Sequence, residues 1–320
     1  MCPFNNGYIV PITNAHTHLE LTDLARLCPP DPVEFTTWMR RLAWHLGRRR
    51  SCDRLRSSIE RGIDELRACG TTHVGDVTAT WQSVEPLLAS DLRGVVYLEV
   101  LGLDRKRALE RLERAKVALR QARARPDHGR VQAGLSLHAP YSCHPDLLRA
   151  GAAWCRAEGM PLCVHVAESP VETELLLRGR APSVPWHIKL AAKAWGAWPS
   201  YVPRMRPIPY LASLGVLDAR PLLVHAIHVA DEDIRTIADA GCAVVHCPRS
   251  NARLSCGRMP LERYLAAGIP VYLGTDSRAS SPSLDVRAEA DFAQGLHVGV
   301  VEPKKVAGLV HRTFPAQSLR

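Results

Sequence analysis

His16 and His18 stand one residue apart at the end of the apolar run Tyr8-Ile9-Val10-Pro11-Ile12. On an extended strand, residues i and i+2 share a face, so both imidazoles point the same way. Neutral imidazoles held like that can grip one zinc or iron ion. Such pairs also occur in ordinary strands, so their weight comes from the rest of the chain. Further apolar runs end in His138-Ala139-Pro140-Tyr141, His165-Val166-Ala167-Glu168 and His225-Ala226-Ile227-His228. Two more end in His246-Cys247-Pro248-Arg249-Ser250-Asn251 and Gly274-Thr275-Asp276-Ser277. Any one of these histidines, taken singly, reads better as a satisfied core or loop residue. Their recurrence at run ends is what points to a shared site.

The elements that would carry them alternate. Short, nearly continuous apolar strands are predicted at 8–15, 71–77, 94–100, 131–138, 161–166, 222–226, 242–246 and 271–276. Helical patterns fall at about 33–49, 52–69, 81–90, 104–124, 145–158, 231–240, 259–267, 284–297 and 302–312. Strands of this kind are buried on both faces, as in parallel sheets. A count of eight predicts a (β/α)8 TIM barrel, with a doubly wound open sheet as the alternative. In a barrel the C-terminal strand ends form one mouth, where the histidines would meet. The 320 residues suit one large α/β domain or two smaller ones, and the eight-strand count favours a single domain over 1–320. One irregular insertion, rich in tryptophan and proline, is expected at about 178–210, too long for a plain connection.

Net charge is +9, but the arginines are spread over helical segments and not gathered into a nucleic-acid motif. The expectation is no nucleic-acid partner and no membrane, since no apolar stretch approaches the length of a spanning helix. None of the ten cysteines forms a Cys-x-x-Cys pair, and no secretory leader is apparent, so a reduced cytoplasmic protein is expected. The cytidine and tRNA deaminase fold is excluded, because it needs His-x-Glu with Pro-Cys-x-x-Cys.

The six motifs, in this order over about 8–300, resemble the amidohydrolase superfamily. Within it they are similar to the group containing guanine, adenosylhomocysteine and cytosine deaminases and chlorohydrolases. Pro11 to His18, Cys247 to Asn251 and the insertion resemble the bacterial aminodeoxyfutalosine deaminases of menaquinone biosynthesis. The resemblance implies one divalent ion, zinc or iron, on His16, His18, His165 and Asp276. It implies attack of metal-bound hydroxide on a purine C6 and release of ammonia from a small nucleoside. Asp276 would take the water's proton, and Glu168 would protonate a ring nitrogen. His225 would steady the oxyanion; His228 is the rival, disfavoured because His225 ends the apolar run. Substrate contacts are expected at His138, Glu20, Trp81, Arg249 and Asn251, with Arg249 facing a carboxylate or fixing the strand 7 turn. Glu172 and Glu174 are expected to be surface residues at a helix start, and His246 to support its turn.

Relatives usually add a β-sandwich built from both chain ends. Here it is expected to be absent or much shortened, with a homodimer still open. The alternatives are another hydrolase of the same fold, acting on adenosylhomocysteine, methylthioadenosine, guanine or a chloro-triazine, and a non-catalytic binding barrel.

Overall fold

A computed structural model describes residues 10–47, 50–125, 130–180 and 201–314. Its eight strands are β1 (Thr13–Thr17), β2 (His73–Thr78), β3 (Arg93–Val100), β4 (Val131–Leu137), β5 (Leu162–Val166), β6 (Leu222–His225), β7 (Ala243–His246) and β8 (Val271–Leu273). They form one sheet in sequence order, every neighbour parallel. The sheet closes where Thr17 bridges Asp276 and the Asp276 N–H donates to the His16 carbonyl at 3.0 Å. Asn14 rivets the same seam: its Nδ2 donates to Thr275 Oγ1 (2.8 Å) and its Oδ1 accepts the Thr275 N–H (3.1 Å). This is the expected barrel, distorted by the brevity of β6, β7 and β8.

One apolar cluster joins Ala15, Val77, Tyr97, Cys163, Val224, Val245 and Tyr272. Residues from opposite sides of a closed sheet meet only inside it, so this cluster fills the barrel. Gly134 makes room for Tyr97, whose ring lies 2.7 Å from where a Cβ would stand. A larger cluster outside the strands takes the apolar faces of the helices, such as Leu112, Leu119, Leu147 and Leu148. The helices start and stop on readable signals. Pro145–Glu158 opens with proline in its first turn, buries Leu147, Leu148, Gly151 and Ala152, and ends at Gly159 with φ 61°. Asp104 caps Arg105–Arg123 by accepting the Arg107 N–H at 2.8 Å.

Three segments differ from expectation. The 178–210 stretch is not irregular throughout: Pro207–Ser213 is helical and buries Ile208, Tyr210 and Leu211. Its two prolines favour a helix start over a loop. Pro170–Arg178, just before it, is a helix too. The tryptophans at 186, 195 and 198 lie outside the described residues. Leu19–Leu27 winds as 3-10 turns, and Pro248–Arg253 is a short helix where a turn was expected.

Candidate active site

Strand ends deliver the side chains, and several do so through strained backbone. Ala167 (φ 50°), His225 (72°), Ala226 (45°) and Asp276 (59°) all occupy the left-handed region. For residues with a Cβ this costs about 1–2 kcal/mol each, a strain that clusters at functional sites. Gly274 permits the approach of β8 to β1, since a Cβ there would stand 2.8 Å from that of His16.

At the mouth, His16 Nε2 and His165 Nε2 face one another at 3.2 Å. Asp276 Oδ1 lies 3.7 Å from His16 Nε2 and 3.6 Å from His18 Nε2. The donor atoms of His16, His18 and His165 lie within 4.8 Å of one another. The edge of a tetrahedron with bonds of about 2.05 Å is about 3.3 Å, so these separations suit one small cation. Tautomers agree: His165 Nδ1–H donates to the His138 carbonyl at 3.0 Å, leaving Nε2 with its lone pair inward. Burial, reinforced by the neighbouring imidazoles, lowers His18 to about 3 and holds His165 well below its ordinary value. Both stay neutral and able to bind a metal. The residues present therefore fit a single divalent ion.

Asp276 is held as a carboxylate. Burial works against its charge, but the His16 imidazole facing it at 3.7 Å, together with the His18 and His225 rings, outweighs burial and keeps the pKa well down. Ser250 Oγ (2.7 Å) and Ser280 Oγ (2.9 Å) donate to Oδ2, and the Ser277 N–H (2.7 Å) to Oδ1. Glu168 is the opposite case. Burial, then the charges of Asp276 and Glu172, push its pKa well above the usual carboxylate range. Two carboxylates on one rim are thus driven apart, one toward its charged form and the other toward its protonated form. Glu168 Oε1 lies 3.4 Å from His225 Nε2. Asn251 Nδ2 donates to His225 Nδ1 at 3.0 Å, which places the ring proton on Nε2, facing Glu168. Burial lowers His225 to about 3 despite the opposing charge of Asp276. His228 turns away, its Nε2 on the Cys256 carbonyl at 2.7 Å. His246 also lies apart, with Nε2 3.3 Å from His297 Nε2.

The expected substrate contacts fare differently. His138, lowered to about 4 by burial, is pinned through Nδ1 by Ser142 Oγ at 2.6 Å, and no hydrogen bond holds its Nε2 among the described residues. Trp81 packs between two apolar clusters. Glu20 is taken up inside the fold: it accepts from the Thr78 and Thr80 hydroxyls and from the N–H groups of Ala79 (3.2 Å) and Thr80 (3.1 Å). Arg249 fixes its turn, because its Nε and N–H bind Glu289 and its Nη2 binds Ser283 and Asp285. Glu172 corrects the expectation of a surface residue. It is 3% exposed and accepts the Glu168 N–H at 2.9 Å, while Glu174 does pair with Arg178 on the surface.

Sequence reasoning missed Glu99. Its carboxylate groups with His138 and His165 within 4.8 Å, its Oε1 has no partner among the described residues, and burial lifts its pKa to about 7. The signal was present in β3, where Val95, Tyr97 and Glu99 alternate and the first two fill the barrel.

Residues 7–310 match the amidohydrolase family. The chain belongs to the amidohydrolase family. It is 36% identical over 298 residues to an aminodeoxyfutalosine deaminase of Deinococcus radiodurans, covering 91% of this chain and 68% of that one. A 5-methylthioadenosine/S-adenosylhomocysteine deaminase of Symbiobacterium thermophilum is 26% identical, with 93% and 62% covered. The chain thus spans less than two thirds of that relative's length. Among solved amidohydrolase folds, Helicobacter pylori aminofutalosine deaminase bound to methylthio-coformycin aligns with a TM-score of 0.77 at 24% identity, over 96% of this chain and 73% of that one. Among the described residues, no helix of this amidohydrolase is long and apolar enough to cross a membrane.

Proposed function

We propose that this chain is a metal-dependent aminohydrolase that replaces the 6-amino group of an adenine-type nucleoside, 6-amino-6-deoxyfutalosine, with oxygen. The observation that carries the reading is the acid–base pair Glu168 and Asp276, flanking His225 beside three converging imidazoles. The choice of nucleoside leans on the Deinococcus relative and points to menaquinone biosynthesis.

His16, His18, His165 and Asp276 would hold one zinc or iron ion. When bound, such an ion lowers the pKa of water toward neutrality. Asp276 takes a proton from the attacking water as its oxygen joins C6. Glu168 gives its proton to the adjacent ring nitrogen, and His225 donates its Nε2–H to the oxygen as charge builds there. The proton on Asp276 then leaves with the amino group as ammonia. Glu168 recovers a proton from the C6 hydroxyl, giving the 6-oxo product. In this reading His138 meets the substrate and Trp81 stacks on the base. Asn251, Glu20 and Arg249 act behind that surface. The whole forms one domain in a cytoplasmic enzyme, with a homodimer as the assembly to look for.

The test is ammonia release from aminodeoxyfutalosine, adenosine, methylthioadenosine and adenosylhomocysteine, with metal content measured on the same protein. A kcat/KM at least about tenfold higher for the first supports the assignment. Preference for methylthioadenosine or adenosylhomocysteine would move it to the second group of relatives. Metal-loaded protein that turns over none of the four would defeat the deaminase reading. A narrower expectation concerns the tautomer of His225. Asn251→Ala should lower kcat by about tenfold while metal content stays at the parent level. Unchanged kcat would remove Asn251 from that role.

A further inference from the structure

We propose that Glu172 is a positioning residue: its buried carboxylate clamps the kinked end of β5 and so sets where Glu168 stands relative to His225. The inference rests on the proton-transfer roles given above to Glu168 and His225.

The local sequence Ser169-Pro170-Val171-Glu172 reads as the start of a capped helix, with serine at the cap and glutamate three residues on. Half of that box is present, since the Glu172 N–H donates to Ser169 Oγ at 3.3 Å. The other half is displaced. A box glutamate reaches back to the cap residue's own N–H, whereas Glu172 Oε2 takes the N–H of Glu168 at 2.9 Å. The carboxylate therefore grips the chain one residue earlier, next to Ala167, whose φ of 50° turns the chain out of the strand. Glu172 is 3% exposed, and its Oε1 has no hydrogen-bond partner among the described residues. A helix cap alone needs no such burial.

The kink it holds is tied to the next strand. The Ala167 carbonyl accepts the N–H groups of Ile227 (2.9 Å) and His228 (3.0 Å). Those residues follow His225 and Ala226, which are themselves in left-handed conformations. One knot thus holds the ends of β5 and β6, with Glu168 and His225 projecting from its two sides and 3.4 Å apart. Among the described residues, Glu172 is the one carboxylate side chain that bonds this knot's backbone. Loosening it would let Glu168 drift, and displacement of a reacting group by about 1 Å can cost about a hundredfold in rate.

The test compares Glu172→Ala with Glu172→Gln, whose amide oxygen can accept the same N–H. The expected result for Glu172→Ala is a kcat about 10- to 100-fold lower, KM within about threefold of the parent and unchanged metal content. Glu172→Gln should stay within about threefold of the parent in kcat. Glu172→Asp, one methylene too short to reach, should behave like the alanine variant and serves if that variant does not fold. Amide hydrogen exchange over residues 166–171 reads the clamp without any turnover: it should speed up in the Ala and Asp variants and not in Gln. Parent-like exchange and kcat in Glu172→Ala would overturn the inference, as would a Gln variant as slow as the alanine one. If the parent deaminates no nucleoside, the reading of the activity fails while the exchange comparison still decides the clamp.

Discussion

Glu168→Gln is expected to lower kcat by about a thousandfold while the metal content, the fold and KM stay near those of the parent. The argument starts from the charge state. Burial, then the neighbouring carboxylates of Asp276 and Glu172, push the Glu168 pKa well above the usual carboxylate range and favour its protonated form. A glutamine has the same shape as a protonated glutamate and no charge, so the substitution removes the transferable proton and little else. Glu168 is not among the four donors read as metal ligands, so the ion should remain. The pH profile of the parent carries the same information with a definite sign. Activity needs the protonated form, so kcat should fall as pH climbs through the raised pKa and the proton is lost. The variant should lack that limb. Single-turnover ammonia release, with metal assayed in parallel, measures both. Retained turnover in Glu168→Gln would take the proton-shuttle role away from this residue.

How much of this was legible in the sequence follows from how far each side chain reaches. The barrel was legible because eight buried strands leave eight apolar runs, and their ends mark one mouth. His16, His18, His165, His225 and Asp276 converge there because they sit on or next to the strand ends, where backbone topology alone decides their place. Longer side chains one turn further on were not legible. Glu20 and Arg249 stand at the rim in the sequence, yet each finds a better partner behind it: Thr78 and Thr80 for one, Glu289 for the other. Glu172 occupies a helix-start position that is exposed in most helices, and only the fold shows it folded back under Glu168. Glu99 was overlooked because a polar residue in a strand reads as outward-facing until the register is known. The left-handed turns at Ala167, His225 and Asp276 carry no signal at all, since none of them is a glycine.

Arg249→Ala should destabilise the fold by about 3–5 kcal/mol at pH 8, more than any loss expected from an exposed arginine. Glu289 is fully buried, and Arg249 supplies it with two bonds, from the side-chain Nε (2.7 Å) and the backbone N–H (2.9 Å). Ser281 Oγ adds a third at 3.2 Å. Even so, burial lifts the Glu289 pKa to about 7, so the carboxylate is held against its own desolvation. Removing the guanidinium raises that pKa further above the unfolded value. A group raised in this way is harmless where both states are protonated, and its penalty grows as pH climbs through the folded pKa. The loss in Arg249→Ala should therefore be about 1 kcal/mol larger at pH 8 than at pH 5, because only the pH unit above the parent's folded pKa of about 7 separates the two proteins. Urea denaturation at the two pH values measures it. Arg249→Met combined with Glu289→Leu, which removes both charges and fills the space, should recover much of the loss, as replacing a whole buried pair often does. The same pair holds the short helix that presents Ser250 to Asp276 and Asn251 to His225. Hence Arg249→Ala should also lower kcat, through those two contacts. A variant within about 1 kcal/mol of the parent at both pH values would show that Glu289 finds other compensation, and that the strand 7 turn does not depend on this arginine.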